Sequence, residues 1–119
     1  MHMQRRIERH QLPYYLKVFN GVTDKPMGYL GNVSLEGLML VSELPMLVNA
    51  RFDLRLKIPG QDGVVHNIDF KALCHWSRED VNPGVYDSGF SLSEPPVEYA
   101  ELVDVLRAYF SFHPLPTSA

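Results

Sequence analysis

A single cysteine, Cys74, leaves this chain without a partner for an internal disulfide. That excludes a disulfide-stapled secreted scaffold and fits a reducing compartment. No run of eighteen apolar residues occurs, so no transmembrane helix is expected and membrane insertion is not. The basic start has no apolar stretch behind it, which argues against a signal peptide, and a cytoplasmic location is the expectation. His2, His10, His66, His75 and His113 form no metal-ligand spacing, and His75 is expected on a solvent-facing strand side. Ser34 has no G-x-S-x-G elbow around it, and no phosphate-binding loop or Gly-x-Gly fingerprint appears. Asp69, Glu79, Asp80 and Asp87 are scattered on strands and turns and read as solvated acids. With no nucleophile or acid–base constellation in view, an enzyme is the least favoured reading. No cofactor is expected.

What is present is a foldable chain of 119 residues, 45% hydrophobic, enough for one domain and too few for two. The net charge of −3 is unevenly spread. Residues 1–10 carry +2 through Arg5, Arg6 and Arg9 against Glu8, and the rest carries −5. An acidic body with a concentrated cationic arm suits capture of one small anion better than wrapping a nucleic-acid polymer. The plainer alternative is a solvated basic tail.

Turn signals recur every eight to twelve residues or so, the rhythm of a small β-barrel or sandwich. Residues 1–12 read as the arm, 13–113 as the folded domain and 114–119 as a tail. A first strand is expected over Pro13 to Asn20, with Leu16 and Val18 on one face and Lys17 and Phe19 on the other. A second runs from about Met27 to Ser34, and Gly37 opens a third, Leu38 to Val41. Phe52, Leu54, Leu56 and Ile58 alternate with Arg51, Asp53, Arg55 and Lys57, so one face is core and the other water. After the Pro59–Gly63 turn, Ile68, Phe70, Ala72, Cys74 and Trp76 repeat the pattern, and the two runs should form a long hairpin. Trp76 is therefore expected in core or rim packing, with stacking against a base as the alternative. A sixth strand spans Val85 to Leu92. Pro95 and Pro96 open an amphipathic helix, with Tyr99, Leu102, Val103, Leu106 and Phe110 at helical spacing. It should cap an open end of the β domain or, alternatively, dock a partner, and Pro114 and Pro116 should stop it.

Two motifs carry the chemistry. Arg5-Arg6-Ile7-Glu8-Arg9 holds an R-x-x-x-R spacing, and Asn32-Val33-Ser34-Leu35-Glu36-Gly37 an N-x-S-x-x-G spacing. By chance the first turns up in roughly a quarter of chains this long and the second in roughly one in twenty, so it is their joint presence around the first strand that counts. A guanidinium meets a phosphate, or guanine O6 and N7, with two bonds, and it stacks flat on a purine. Asn32 offers a donor and an acceptor to a base edge, and Ser34 a hydroxyl. Two apart on a strand, they share a face. Gly37 permits a tight turn or a close backbone approach. Read alone, Asn32 and Ser34 are equally a polar strand end before a turn-forming glycine.

From Gln4 to about Phe110, these motifs in this order resemble the PilZ family. Cys74-His75-Trp76-Ser77-Arg78 and Val85-Tyr86-Asp87-Ser88-Gly89-Phe90 look like its fifth and sixth strands. Ile7, where an aromatic is frequent, and Glu8 are small departures. The resemblance implies a six-stranded antiparallel β-barrel with a C-terminal amphipathic helix. It implies a non-enzymatic receptor for the bacterial second messenger cyclic di-GMP, with Arg5, Arg6, Arg9, Asn32, Ser34 and Gly37 at the ligand. Gln4, Trp76, Ser77 and Gly89 are secondary candidates, Gln4 as an influence on whether one or two ligands bind. The expected mechanism is ordering of the arm on the ligand, read by a protein partner, in a monomer or weak dimer. Motility, exopolysaccharide synthesis and adhesion (the biofilm-related outputs) are open as family associations. One rival is a ligand-independent interaction module of the same fold, which loss of the arginines or Ser34 would have favoured. Another is a barrel for RNA or single-stranded DNA, which the acidic body disfavours.

Overall fold

The computed structural model describes residues 16–59 and 62–112. Six strands and one helix follow in order: β1 Lys17–Asn20, β2 Pro26–Val33, β3 Gly37–Ser42, β4 Arg51–Pro59, β5 Val65–Glu79, β6 Tyr86–Ser93 and α1 Val97–Phe112. The strands close into an antiparallel barrel in the order β1-β2-β3-β6-β5-β4. Closure gives each described strand a neighbour on both sides, so none of them is an edge strand of an open sheet. The expected barrel with one C-terminal helix is the observed fold. Residues 13–15 of the expected first strand, Phe110, Pro114 and Pro116 lie outside what is described of backbone or side chain.

The β4–β5 hairpin follows its sequence alternation closely. Leu54, Leu56 and Ile58 face Phe70, Ile68 and the barrel interior, and all five are at most 6% exposed. Burying each such side chain contributes about 1.5–3 kcal/mol of transfer free energy. The polar side of this hairpin is neutralised by ion pairs. Arg55 donates from Nε and Nη2 to the two Asp69 carboxylate oxygens at 2.6 and 3.1 Å, and Asp24 bridges Arg55 and Lys57 at 3.1 and 3.0 Å. Those two cations hold the Asp24 carboxyl below the usual carboxylate range, Lys57 foremost. Lys71 pairs with Asp53 at 2.9 Å.

The alternation breaks at three irregularities in register. Between Val18 and Phe19 the pairing with β2 shifts, and both side chains are buried instead of one. Phe19 reaches cover under Lys57, whose ammonium lies 4.4 Å from the ring centroid. In β2 the shift falls between Leu30 and Asn32. In β5 it falls between Cys74 and Trp76, so that Cys74 pairs with Phe90 but Trp76 with Gly89. A bulge inserts one residue and turns the following side chains to the other face. Cys74 is consequently buried and Trp76 is 37% exposed on the outside of the barrel. This corrects the expectation that Trp76 shares the inward face of Cys74.

Helix α1 brings Tyr99, Leu102, Val103 and Leu106 into the same core cluster as the barrel interior, each at most 1% exposed. The Tyr99 ring packs on Phe70 with centroids 5.2 Å apart. The helix thus closes the barrel end beside the β2–β3 turn, as its apolar spacing implies.

Candidate functional site

The N-x-S-x-x-G motif occupies the end of β2, a short turn and the start of β3. The bulge after Leu30 decides its orientation. Gly31 sits in it because a Cβ there would lie 2.5 Å from Met39 Cε and 2.9 Å from Val41 Cγ2. With that extra residue Val33 points inward and both Asn32 and Ser34 point out to solvent. Asn32 Oδ1 accepts from the Val33 amide at 2.9 Å, which orients the side-chain amide. The turn is hydrogen-bonded across its mouth: the Ser34 amide donates to the Gly37 carbonyl at 2.9 Å, and Ser34 Oγ lies 3.4 Å from that same oxygen.

Tyr99 ties this turn to α1. Its hydroxyl lies 2.9 Å from the Ser34 carbonyl and 3.0 Å from the Gly37 carbonyl, so one buried proton is shared between two strand ends. Desolvation pushes the phenol's pKa up, which keeps it a neutral donor. Gly37 has a packing reason of its own. A Cβ there would stand 2.3 Å from the Phe90 carbonyl oxygen, so the residue is what lets β3 approach β6. Of the two uses of glycine open in the sequence, close approach is the one seen.

Register extends the face across four strands. Asn32 pairs with Met39, Met39 with Gly89, and Gly89 with Trp76. Directly opposed residues in antiparallel strands share a face, so Asn32, Met39, Gly89 and Trp76 form one outward row. A Cβ on Gly89 would meet Trp76 Nε1, Cε2 and Cζ2 at 2.3, 2.4 and 2.7 Å, so the indole lies across the bare glycine backbone. The guanidinium carbon of Arg78 stands over that indole, 4.8 Å from its centroid. In the adjacent row Arg78 pairs with Asp87, and Asp87 with Val41. Asp87 is only 8% exposed. Desolvation first, then the charge of Asp80, raises its pKa, while Arg78 acts in the opposite direction.

Ser77 lies in the inward row with Ser88. Its Oγ accepts from Ser88 Oγ at 2.8 Å and from the Met46 amide at 3.0 Å, holding the β3–β4 loop against the barrel. The structure therefore gathers Asn32, Ser34, Gly89 and Trp76 around one outer face, with Gly37 beneath its turn and Ser77 turned inward. Gln4, Arg5, Arg6 and Arg9 lie outside the described residues. Met39 and Arg78 share the face and were not singled out from the sequence; only the β3–β6–β5 register brings them there. His75 is exposed, as expected, with Nε2 2.7 Å from Ser91 Oγ.

A hollow of about 730 Å³ adjoins this face at Val41 and is lined by apolar groups including Met27, Leu44, Pro45, Met46 and Phe52, with Lys17 its sole cation among the lining residues. Its lining offers little to a polyanion. Among the described residues no group of three His, Cys, Asp or Glu is placed to hold a metal ion, and no helix is long and apolar enough to cross a membrane.

No curated protein and no solved structure matches the chain. The family model for the PilZ domain does match, over residues 3–109, which takes in the arginine motif, all six strands and most of α1. The chain belongs to the PilZ domain family, a family of cyclic di-GMP receptors.

Proposed function

We propose that this protein binds cyclic di-GMP on the outer face of β2, β3, β6 and β5 and passes the signal to a protein partner without catalysis. The observation that carries the reading is the side-by-side exposure of Asn32 and Ser34 at the end of a row that runs on to Trp76, in a chain of this family. The ligand has two phosphates and two guanines. Asn32 supplies a donor and an acceptor to a guanine edge, and Ser34 supplies a hydroxyl to base or phosphate. Arg5, Arg6 and Arg9 bring bidentate, charge-assisted bonds to phosphate or guanine and a flat surface for stacking. Gly37 contributes by letting the turn sit close to β6. Trp76 and Gly89 form the far side of the site, Ser77 steadies it from beneath, and Gln4 bears on ligand number.

The surroundings favour an arm-borne clamp. Arg55, Lys57 and Lys71 on the β4–β5 side are each paired with acids, so that side holds no concentrated positive potential. The concentrated positive charge in the sequence lies in residues 1–12, where Arg5, Arg6 and Arg9 stand against Glu8 alone. Ligand then orders the arm against the barrel, and the changed surface is what the partner reads. In this reading residues 13–113 are the barrel with its helix, residues 1–12 the arm that closes on the ligand and residues 114–119 a tail, in a cytoplasmic monomer or weak dimer.

Titration calorimetry tests this. Cyclic di-GMP should give saturable heat at micromolar protein with a molar ratio of one or two, weakening as salt is raised. Linear GMP should give far less. No heat with cyclic di-GMP would leave the fold as a ligand-independent interaction module.

A further inference from the structure

The Trp76 indole lies in a small layered structure built from β5 and β6. Gly89 gives it a floor with no side chain, and Arg78 stands over the ring at 4.8 Å. Arg78 lies opposite Asp87 in the β5–β6 ladder, and that residue is 8% exposed. Arginine keeps its charge at all working pH, and its planar guanidinium stacks where an ammonium cannot. Two residues from Trp76 and in the row beside the Asn32 row, this guanidinium is carried by the barrel itself.

We infer that Arg78 is a further ligand-contacting residue, whose guanidinium plane on Trp76 forms the stacking platform for one purine of the dinucleotide. The inference rests on the proposed binding of cyclic di-GMP at this face. Arm and barrel then share the work: the N-terminal arginines bring charge from the arm, and Arg78 offers a flat cation from β5, across the face from Asn32. Trp76 acts as a positioning residue, since its ring sets the height and tilt of the guanidinium. The platform selects for a planar, electron-rich base rather than for negative charge alone.

The test uses the full chain and three proteins: wild type, Arg78→Ala and Arg78→Lys. Each is titrated with cyclic di-GMP by calorimetry and followed in parallel by the emission of Trp76, the single tryptophan. A thermal melt of each variant checks that the barrel is intact. Both variants are expected to bind at least about tenfold more weakly, the scale of one charge-assisted or stacked contact, with lysine failing to rescue although it keeps the charge. In the wild type, Trp76 emission should change with the same midpoint as the heat. If the wild type binds but Arg78→Lys binds equally well, or emission stays flat through saturation, Arg78 is a surface cation and the inference falls while the binding reading stands. If the wild type itself gives no heat, the binding reading falls first and takes the platform with it.

Discussion

Replacing Arg5 and Arg9 together with alanine should weaken cyclic di-GMP binding by about a hundredfold or more while leaving the thermal melt unchanged. Each arginine that makes a charge-assisted pair with a phosphate or a guanine contributes about 1.5–3 kcal/mol, and two such losses amount to about 3 kcal/mol or more. The core cluster of Val18, Leu40, Leu54, Leu56 and Leu106 is built from β1 onward, so the thermal melt is expected to stay near that of the wild type. The lysine pair, Arg5→Lys with Arg9→Lys, separates charge from shape. It keeps the long-range attraction and loses the planar fork, so it should recover part of the salt dependence and little of the affinity. Calorimetry at two salt concentrations reads both. Wild-type affinity in the alanine pair would remove the arm from the account.

Gly37→Ala should have the opposite profile, with a large loss of stability. The new Cβ would stand 2.3 Å from the Phe90 carbonyl oxygen and 3.4 Å from its carbonyl carbon, and both belong to a paired strand that has nowhere to move. Relief requires spreading β3 from β6 along a six-residue ladder. The expected cost is about 2–4 kcal/mol, a drop in Tm of roughly 10 °C or more. Gly89→Ala is the matched comparison. There the added atom meets the Trp76 indole, a side chain at the surface that can swing away, so the melt should fall less and Trp76 emission should shift. Equal melts for both variants would mean that β3 and β6 tolerate separation, and the packing role given to Gly37 would be wrong.

Glycine at position 37 illustrates what the sequence could and could not convey. Its spacing to Asn32 and Ser34 is legible in the primary structure, but whether it serves a turn or a close approach depends on which strand lies alongside. That neighbour is β6, more than fifty residues away in the chain, so its partner atom is invisible without the topology. The β4–β5 hairpin was legible throughout, because strict alternation of Phe52, Leu54, Leu56 and Ile58 with charged residues has a single solution on a pleated surface. The helix was legible for the same reason at the other period, with Tyr99, Leu102, Val103 and Leu106 all buried.

Bulges are where periodic reasoning failed. Trp76 continues the two-residue period of Ile68, Phe70, Ala72 and Cys74, yet it faces outward because one residue slips out of register after Cys74. The sequence carries no cue to the slip: His75 and Ser77 keep the polar phase that Asp69 and Lys71 set, so the alternation runs unbroken through Trp76. A similar slip at Gly31 sets the outward aim of Asn32, and a glycine inside a strand was the available hint there. Arg78 is hidden in the sequence for a different reason. Its relation to the motif residues runs through β3 and β6 by cross-strand register, a relation that spacing along the chain does not encode.

Backbone-amide and indole chemical shifts, followed as cyclic di-GMP is added to the intact chain, test the placement of the ligand most directly. The account predicts that the largest changes fall on Asn32 to Gly37, on Gly89 and on the Trp76 side-chain N–H, together with the residues around Arg5 and Arg9. Saturating ligand that leaves those resonances in place, or that shifts only the β3–β4 loop around Leu44 and Leu47, would contradict it.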